Sequence, residues 1–243
     1  MHDLTHIDLF SGSGAFSLAA ERAGFRTLCF VESEPFCQAI LKKHWPRIPI
    51  YNDIKTFRWA WRRPTLISGG FPCQPFSSAG RKKGKADHRN LWPDMLRVIS
   101  EIRPAWVIAE NVTHIAYMVL ADCENDLEAE GYEVQSFDIP ACSCGLPTME
   151  RHIWIVAASR SEHMEGRGQK RLSREQEMFS RFGRANDKNA ERFPGIPDLC
   201  PPELYRSRKG IPHWMDRHKM LGNAIVPQVA YQIIKTIAEI EED

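Results

Sequence analysis

The 243-residue sequence predicts an α/β fold: a mostly parallel sheet with helices on both faces. Three observations lead there. Short apolar runs alternate with amphipathic stretches over the first two-thirds of the chain. Several of the runs end in glycines or an acid, as strand ends that face a ligand do. After a long irregular stretch, residues 226–240 return to helical periodicity.

The expected strands are Thr5 to Phe10, Thr27 to Val31, Thr65 to Gly69, Ala105 to Glu110, Glu133 to Ile139 and His152 to Ala157. A shorter one, Ile50-Tyr51-Asn52, is closed by Asp53. A helix is expected from near Ala15. Another follows from Trp92, Met95, Leu96, Ile99 and Ile102, which recur at helical spacing and share one apolar face. Val226, Val229, Ala230, Ile233, Ile234, Ile237 and Ile240 mark a last helix that docks on the core.

With 43% hydrophobic and 26% charged residues, the chain can bury a core and is not disordered by composition. Its net charge of +1 excludes a uniformly basic coat for nucleic acid. The charge is segregated instead. Residues 80–89 hold five bases and one acid, and residues 159–212 hold 12 bases and 8 acids, leaving an acidic body. Two basic segments on such a body suit a polyanionic partner. No apolar run reaches membrane-spanning length, and Met1 to Thr5 carries no signal-like core, so a soluble, cytoplasmic protein is expected. Seven cysteines without regular spacing fit a reducing compartment. In Cys142-Ser143-Cys144 one intervening residue is too few for the usual zinc pair, and no metal is expected.

Asp8-Leu9-Phe10-Ser11-Gly12-Ser13-Gly14 leads from the first strand into a helix. Glycines there let backbone approach a ligand at the free N–H groups of the helix. Glu32 ends the second strand, 20 residues after Gly12, where a carboxylate can take both ribose hydroxyls of a nucleoside. Asp53 with Ile54 is placed to reach an adenine edge. Ser17 stands where a dinucleotide fingerprint has its third glycine. That argues against NAD and leaves an adenosyl cofactor without phosphates.

Ser68-Gly69-Gly70-Phe71-Pro72-Cys73-Gln74-Pro75-Phe76-Ser77 follows an apolar strand. A cysteine between Pro72 and Gln74, beyond a strand's carboxyl end, suits nucleophilic work better than packing. Cys29, Cys37, Cys123 and Cys200 read as small buried hydrophobes. Glu110-Asn111-Val112 places an acid at a strand end as a candidate proton donor to a heterocycle.

These segments, followed by Leu221-Gly222-Asn223-Ala224 near the end, occur in an order that resembles the DNA cytosine-5 methyltransferases of bacterial or phage type. The likeness covers most of residues 5–158 and 218–235. It implies a Rossmann-like S-adenosylmethionine-dependent methyltransferase sheet with a small target-recognition lobe. The expected divisions are 1–158 for catalysis and cofactor, 159–212 for target recognition, and 213–243 returning to the first domain. The resemblance further implies S-adenosylmethionine held by Phe10, Gly12, Gly14, Glu32, Asp53, Ile54, Leu91, Asn223 and Ala224, with Cys73 and Glu110 as catalytic residues. Duplex DNA is the implied substrate, met by Gln74 and Ser77 and by Arg81, Lys82, Lys83, Lys85 and Arg89. A cognate restriction endonuclease is the partner that such a setting would supply.

In one place the sequence departs from the family. Where Gln-x-Arg-x-Arg is usual, it reads Thr148-Met149-Glu150-Arg151-His152. His152 aligns with the second arginine. Arg151 lies on the opposite face of the strand and would substitute through a bulge. Either is a candidate for the base oxygen. Two alternatives stand beside DNA methylation: an RNA cytosine-5 methyltransferase acting on tRNA, and an inactive DNA-binding homologue.

Replacing Arg81, Lys82, Lys83 and Lys85 together with Gln is expected to weaken duplex DNA binding. The log–log dependence on salt should flatten by about 0.9 for each phosphate that is no longer neutralised. A titration of affinity against salt checks it, and an unchanged slope would remove this loop from the interface.

Overall fold

The computed structural model describes residues 3–72, 90–144, 151–160 and 225–242. They form seven strands: β1 (Thr5–Leu9), β2 (Arg26–Val31), β3 (Ile50–Tyr51), β4 (Leu66–Gly70), β5 (Trp106–Val112), β6 (Tyr132–Pro140) and β7 (Arg151–Ser159). The helices are α1 (Ala15–Arg22), α2 (Pro35–His44), α3 (Trp92–Ile102), α4 (Thr113–Ala129) and α5 (Pro227–Glu242). One sheet runs in the order β3-β2-β1-β4-β5-β7-β6. The first five strands pair in parallel, and β7 lies antiparallel between β5 and β6.

Among the described strands β7 alone departs from the parallel pattern, antiparallel to both of its neighbours. Between Pro140 and Arg151 the connection is shorter than the dozen or more residues a parallel crossover needs, so β7 folds straight back beside β6. β6 itself follows α4 as a crossover strand and leaves a gap next to β5 that β7 fills.

Strand alternation divides the core in two. Trp106 and Ile108 of β5, with Trp154, Val156 and Ala158 of β7, face α1 and α5. Val107 and Ala109, with Ile153, Ile155 and Ala157, face α3 and α4. The apolar stripe of α3 is Trp92, Met95, Val98, Ile99 and Ile102, with Leu96 only half-buried. Pro93 starts this helix and Arg103, in a left-handed conformation, stops it. In α5, Val229, Ala230, Ile233, Ile234 and Ile237 pack on α1, and the Trp106 indole donates to Glu241 at 2.7 Å. The tail thus docks beside the first strand's helix, as its periodicity predicts.

Polar atoms also cross the centre of the sheet. His6 of β1 is fully buried, with Nε2 at 2.7 Å from the Ser68 hydroxyl and Nδ1 at 3.3 Å from that of Thr27. Burial depresses its pKa from 6.5 to about 3. A depressed histidine leaves the unfolded chain holding more protons below pH 6.5, so its contribution to stability is present above that value and lost as pH falls. The stability gap between wild type and His6→Gln is therefore expected to shrink by about 2 kcal/mol from pH 7.5 to pH 5, measured by urea unfolding at each pH.

Candidate active site

Because β1 to β5 run in parallel, their carboxyl ends open on one edge, and β7, running the other way, starts there. The edge has one side at β1–β3, built on the glycine turn and Glu32, and another at β4, β5 and β7, built on Glu110.

On the first side the chain leaves β1 through Phe10, Gly12 and Gly14, all at positive φ (53°, 54° and 84°). Left-handed backbone is strained at Phe10 and free at the glycines. Gly14 stands at the N-cap of α1, where it offers no side chain. Asp8 caps the helix instead: its Oδ2 accepts from the Ser17 amide at 3.2 Å and the Ser17 hydroxyl at 2.7 Å. Its Oδ1 is buried without a hydrogen-bond partner, and burial raises the Asp8 pKa to about 8. Gly14 is also fixed sterically, since a Cβ there would stand 2.5 Å from the Trp45 ring. Trp45 in turn donates to Glu21 at 2.5 Å.

Glu32 reaches over this turn from the end of β2. Its Oε2 accepts from the Gly12 amide and its Oε1 from the Glu34 amide, each at 2.7 Å. Each carboxylate oxygen keeps a lone pair for a further donor. Beside Gly12 an added Cβ would meet nothing nearer than 4.0 Å, so the space is open to a ligand. Gln38 ties the ends of β2 and β3 by donating to the Glu32 carbonyl at 2.6 Å and to Asn52 Oδ1 at 2.8 Å. Asp53 lies exposed just beyond β3, its Oδ1 accepting from the Lys55 amide. Ile54 is buried among Phe57, Ile99 and their neighbours, and Leu91 packs half-buried at the start of α3. An open glycine turn with an oriented carboxylate suits a nucleoside with a free ribose diol.

On the second side Glu110 is 7% exposed, and burial raises its pKa to about 8. Its Oε2 fills the space a Cβ would need at Gly70, at 2.9 Å, and Ile225 Cγ2 borders the same space at 3.5 Å. The next residue, Asn111, donates from Nδ2 to the Phe71 carbonyl at 3.1 Å. It thereby ties β5 to the segment that leads into Cys73. His152 stands diagonally across the β5–β7 ladder with Nε2 3.8 Å from Glu110 Oε1. Arg151 is not brought to this cluster. The β5–β7 register runs from Val112–His152 to Trp106–Ala158 without a break, so no bulge turns Arg151 inward. It is half-exposed at the start of β7, on the sheet face opposite His152, paired with Asp138 at 3.0 Å.

Cys73, Gln74, Ser77, Arg81, Lys82, Lys83, Lys85, Arg89, Asn223 and Ala224 lie outside the described residues. Sequence reasoning missed Asp8 as a helix cap, Gln38, Trp45 and Gly70. For Asp8 the signal was there: a charged residue inside an apolar strand, nine residues before a serine in the first helical turn.

The family model for C-5 cytosine-specific DNA methylase matches residues 4–194, and the chain belongs to that family. It is 34% identical over 164 residues to the type II methyltransferase M.HindV of Haemophilus influenzae, covering 65% of this chain and 54% of that protein. With M.Eco47II of Escherichia coli it shares 33% over 170 residues, covering 67% and 41%. The chain spans about half the length of the curated relatives it matches. Among solved structures, a prophage-encoded E. coli protein assigned as a DNA modification methyltransferase superposes with TM-score 0.56 at 27% identity, over 65% of this chain and 47% of that one. The DNMT2 of Spodoptera frugiperda, at 18% identity and TM-score 0.54 over 64% and 50%, shares the fold. The sheet is thus that of S-adenosylmethionine-dependent methyltransferases. Among the described residues no helix is long and apolar enough to cross a membrane.

Glu32→Ala removes the acceptor for two backbone amides at once. It is expected to lower stability by about 1–3 kcal/mol in urea unfolding, with Glu32→Gln milder because an amide oxygen still accepts one of them.

Proposed function

We propose that the protein transfers a methyl group from S-adenosylmethionine to C5 of a cytosine flipped out of a specific duplex DNA site. The observation that carries this is the juxtaposition at the ends of β4 and β5. A buried acid sits over Gly70, and its neighbour Asn111 holds the carbonyl of Phe71, the residue that precedes the Pro72-Cys73-Gln74 motif.

S-adenosylmethionine, when bound, supplies an electrophilic methyl group. Gly12 and Glu32 fit its nucleoside, and Phe10, Asp53, Leu91, Asn223 and Ala224 are its further proposed contacts. C5 of cytosine is too weak a nucleophile to take that methyl unaided. Cys73 thiolate adds to C6, which breaks the ring's aromaticity and leaves C5 enamine-like. Glu110 donates to N3 and makes C6 more electrophilic. After transfer, loss of the C5 proton and expulsion of the thiolate restore the ring. The base must leave the stack for any of this, and the basic segment after Cys73 is the candidate to meet phosphates around it. His152 rather than Arg151 is the proposed partner of the base oxygen, because its Nε2 lies 3.8 Å from Glu110 while Arg151 pairs with Asp138. The basic stretch 159–212 is the proposed target-recognition region, and the type II names of the relatives favour a restriction-modification setting.

Duplex DNA with 5-fluorocytosine at the mapped target tests the reading, because fluorine cannot leave C5 as a cation. Wild type is expected to methylate it and remain attached through denaturing electrophoresis. Cys73→Ala should form no adduct while still binding S-adenosylmethionine by calorimetry, and Glu32→Ala should bind that cofactor about tenfold or more weakly. A full adduct with Cys73→Ala would overturn the mechanism. Methyl transfer to tRNA in place of duplex DNA, in parallel assays, would move the substrate to RNA.

A further inference from the structure

Within the proposed reaction Glu110 has to meet cytosine as a proton donor. N3 of that base offers a lone pair and the exocyclic amine beside it offers hydrogens. A carboxylic acid presents one donor and one acceptor to such an edge, whereas an ionised carboxylate presents acceptors alone and opposes the N3 lone pair. What keeps Glu110 protonated is therefore part of the mechanism.

Among the described residues, three elements border Glu110. From β4 it meets Gly70, and the start of the tail segment adds Ile225 at the same spot. From β7, Trp154 lies directly across in register and His152 lies on the diagonal, its Nε2 3.8 Å from the carboxyl. On β5 itself, Asn111 is spent on the Phe71 carbonyl. His152 is as enclosed as Glu110, at 8% exposure, and its cross-strand neighbours are the apolar Val112 and Ile139. The Arg151 guanidinium is held by Asp138 on the other face of the strand. Among these described neighbours, His152 is the one group able to carry charge towards Glu110.

We propose that His152, besides facing the base, lets Glu110 stand as a carboxylic acid before the base arrives. An imidazole can stand neutral and then imposes no fixed positive charge, whereas a guanidinium at the same place would hold the carboxylate ionised. Burial pushes the Glu110 pKa in the same direction, to about 8. A raised acid is protonated below that value, so the site is competent at neutral pH and loses its donor as pH rises through about 8. The chain's departure from the arginine pattern at position 152 then makes methyl transfer sensitive to alkali.

The test reads the proton directly, on the full-length chain without DNA or cofactor. With glutamate side-chain carboxyl carbons labelled with 13C, one signal is expected to titrate with a midpoint near pH 8 and to be missing from Glu110→Gln. His152→Arg should move that midpoint down by roughly 1–3 pH units, while the uncharged His152→Gln leaves it in place. With duplex DNA and cofactor added, the alkaline limb of methyl transfer should follow the same midpoint in wild type and shift with it in His152→Arg. No elevated glutamate signal in wild type would overturn the proposal, and that measurement stands even if a variant fails to fold. Equal shifts in the Arg and Gln variants would overturn it too, since charge would then not be the cause. An elevated signal in a protein that methylates no cytosine would leave the pair intact and refute the proposed reaction instead.

Discussion

The junction of β1 and α1 hangs on one buried carboxyl. Asp8 points from β1 onto the face that α1 covers, and Ser17 meets it with both amide and hydroxyl. Gly14, at the helix start, has no side chain with which to do this work. The turn between Leu9 and Ala15 is then fixed from two sides, by Asp8 below and Glu32 above. What surrounds it follows from that fixed turn. Gly14 fits beneath Trp45, Trp45 is tethered back to α1 through Glu21, and the open space beside Gly12 keeps its shape.

Beside the exposed Asp53, the acids Asp8, Glu32 and Glu110 crowd this edge, and each of these three is accommodated differently. Glu32 is met by backbone N–H groups, Asp8 by Ser17 and by burial that raises its pKa, and Glu110 by burial that raises its pKa likewise. Glu32 itself contributes to raising Asp8. This arrangement also decides which nucleotides fit. The Gly12 amide, at the approach to a helix N-terminus that would otherwise welcome phosphate, is occupied by a carboxylate. A pyrophosphate there would lose that donor and face a negative charge. The missing third glycine in the sequence and the occupied amide in the structure therefore exclude the same ligand for separate reasons.

The strands were legible because each is a short apolar run with a clear stop, and the glycine turn because its residues have few other uses. Glu32 was legible by its distance from Gly12 along a βαβ unit. The Glu110–His152 pair was not. It depends on the register of β7 against β5, two strands separated in sequence by α4 and β6, and the apolar run of β7 reads alike in either direction. The choice between Arg151 and His152 needed that register too, since alternation alone says they differ in face without saying which face is inside. Val98 and Leu96 exchanged roles for a simpler reason. Both fit a helical stripe, and only the position of α4 and β4 selects the arc that is buried.

Asn111 shows why one strand governs the chemistry. Its side chain donates to Phe71 O while its Oδ1 accepts from the Val112 amide, so β5 ends in a bracket rather than a free loop. Glu110 precedes it on the same strand and lies over Gly70, one residue before Phe71. A shift of β5 along its neighbours would thus carry the acid and the base of the Cys73 segment together, and their separation would survive. Loss of the bracket alone would do the reverse. Asn111→Ala leaves the burial of Glu110 and its contact with His152 untouched but releases the Phe71 carbonyl, so its expected signature is a lower rate of C6 addition with an unshifted pH limb. Under the proposed mechanism that separates two demands on β5: to keep the Glu110 carboxyl out of water, and to hold the Phe71 carbonyl ahead of the proposed nucleophile.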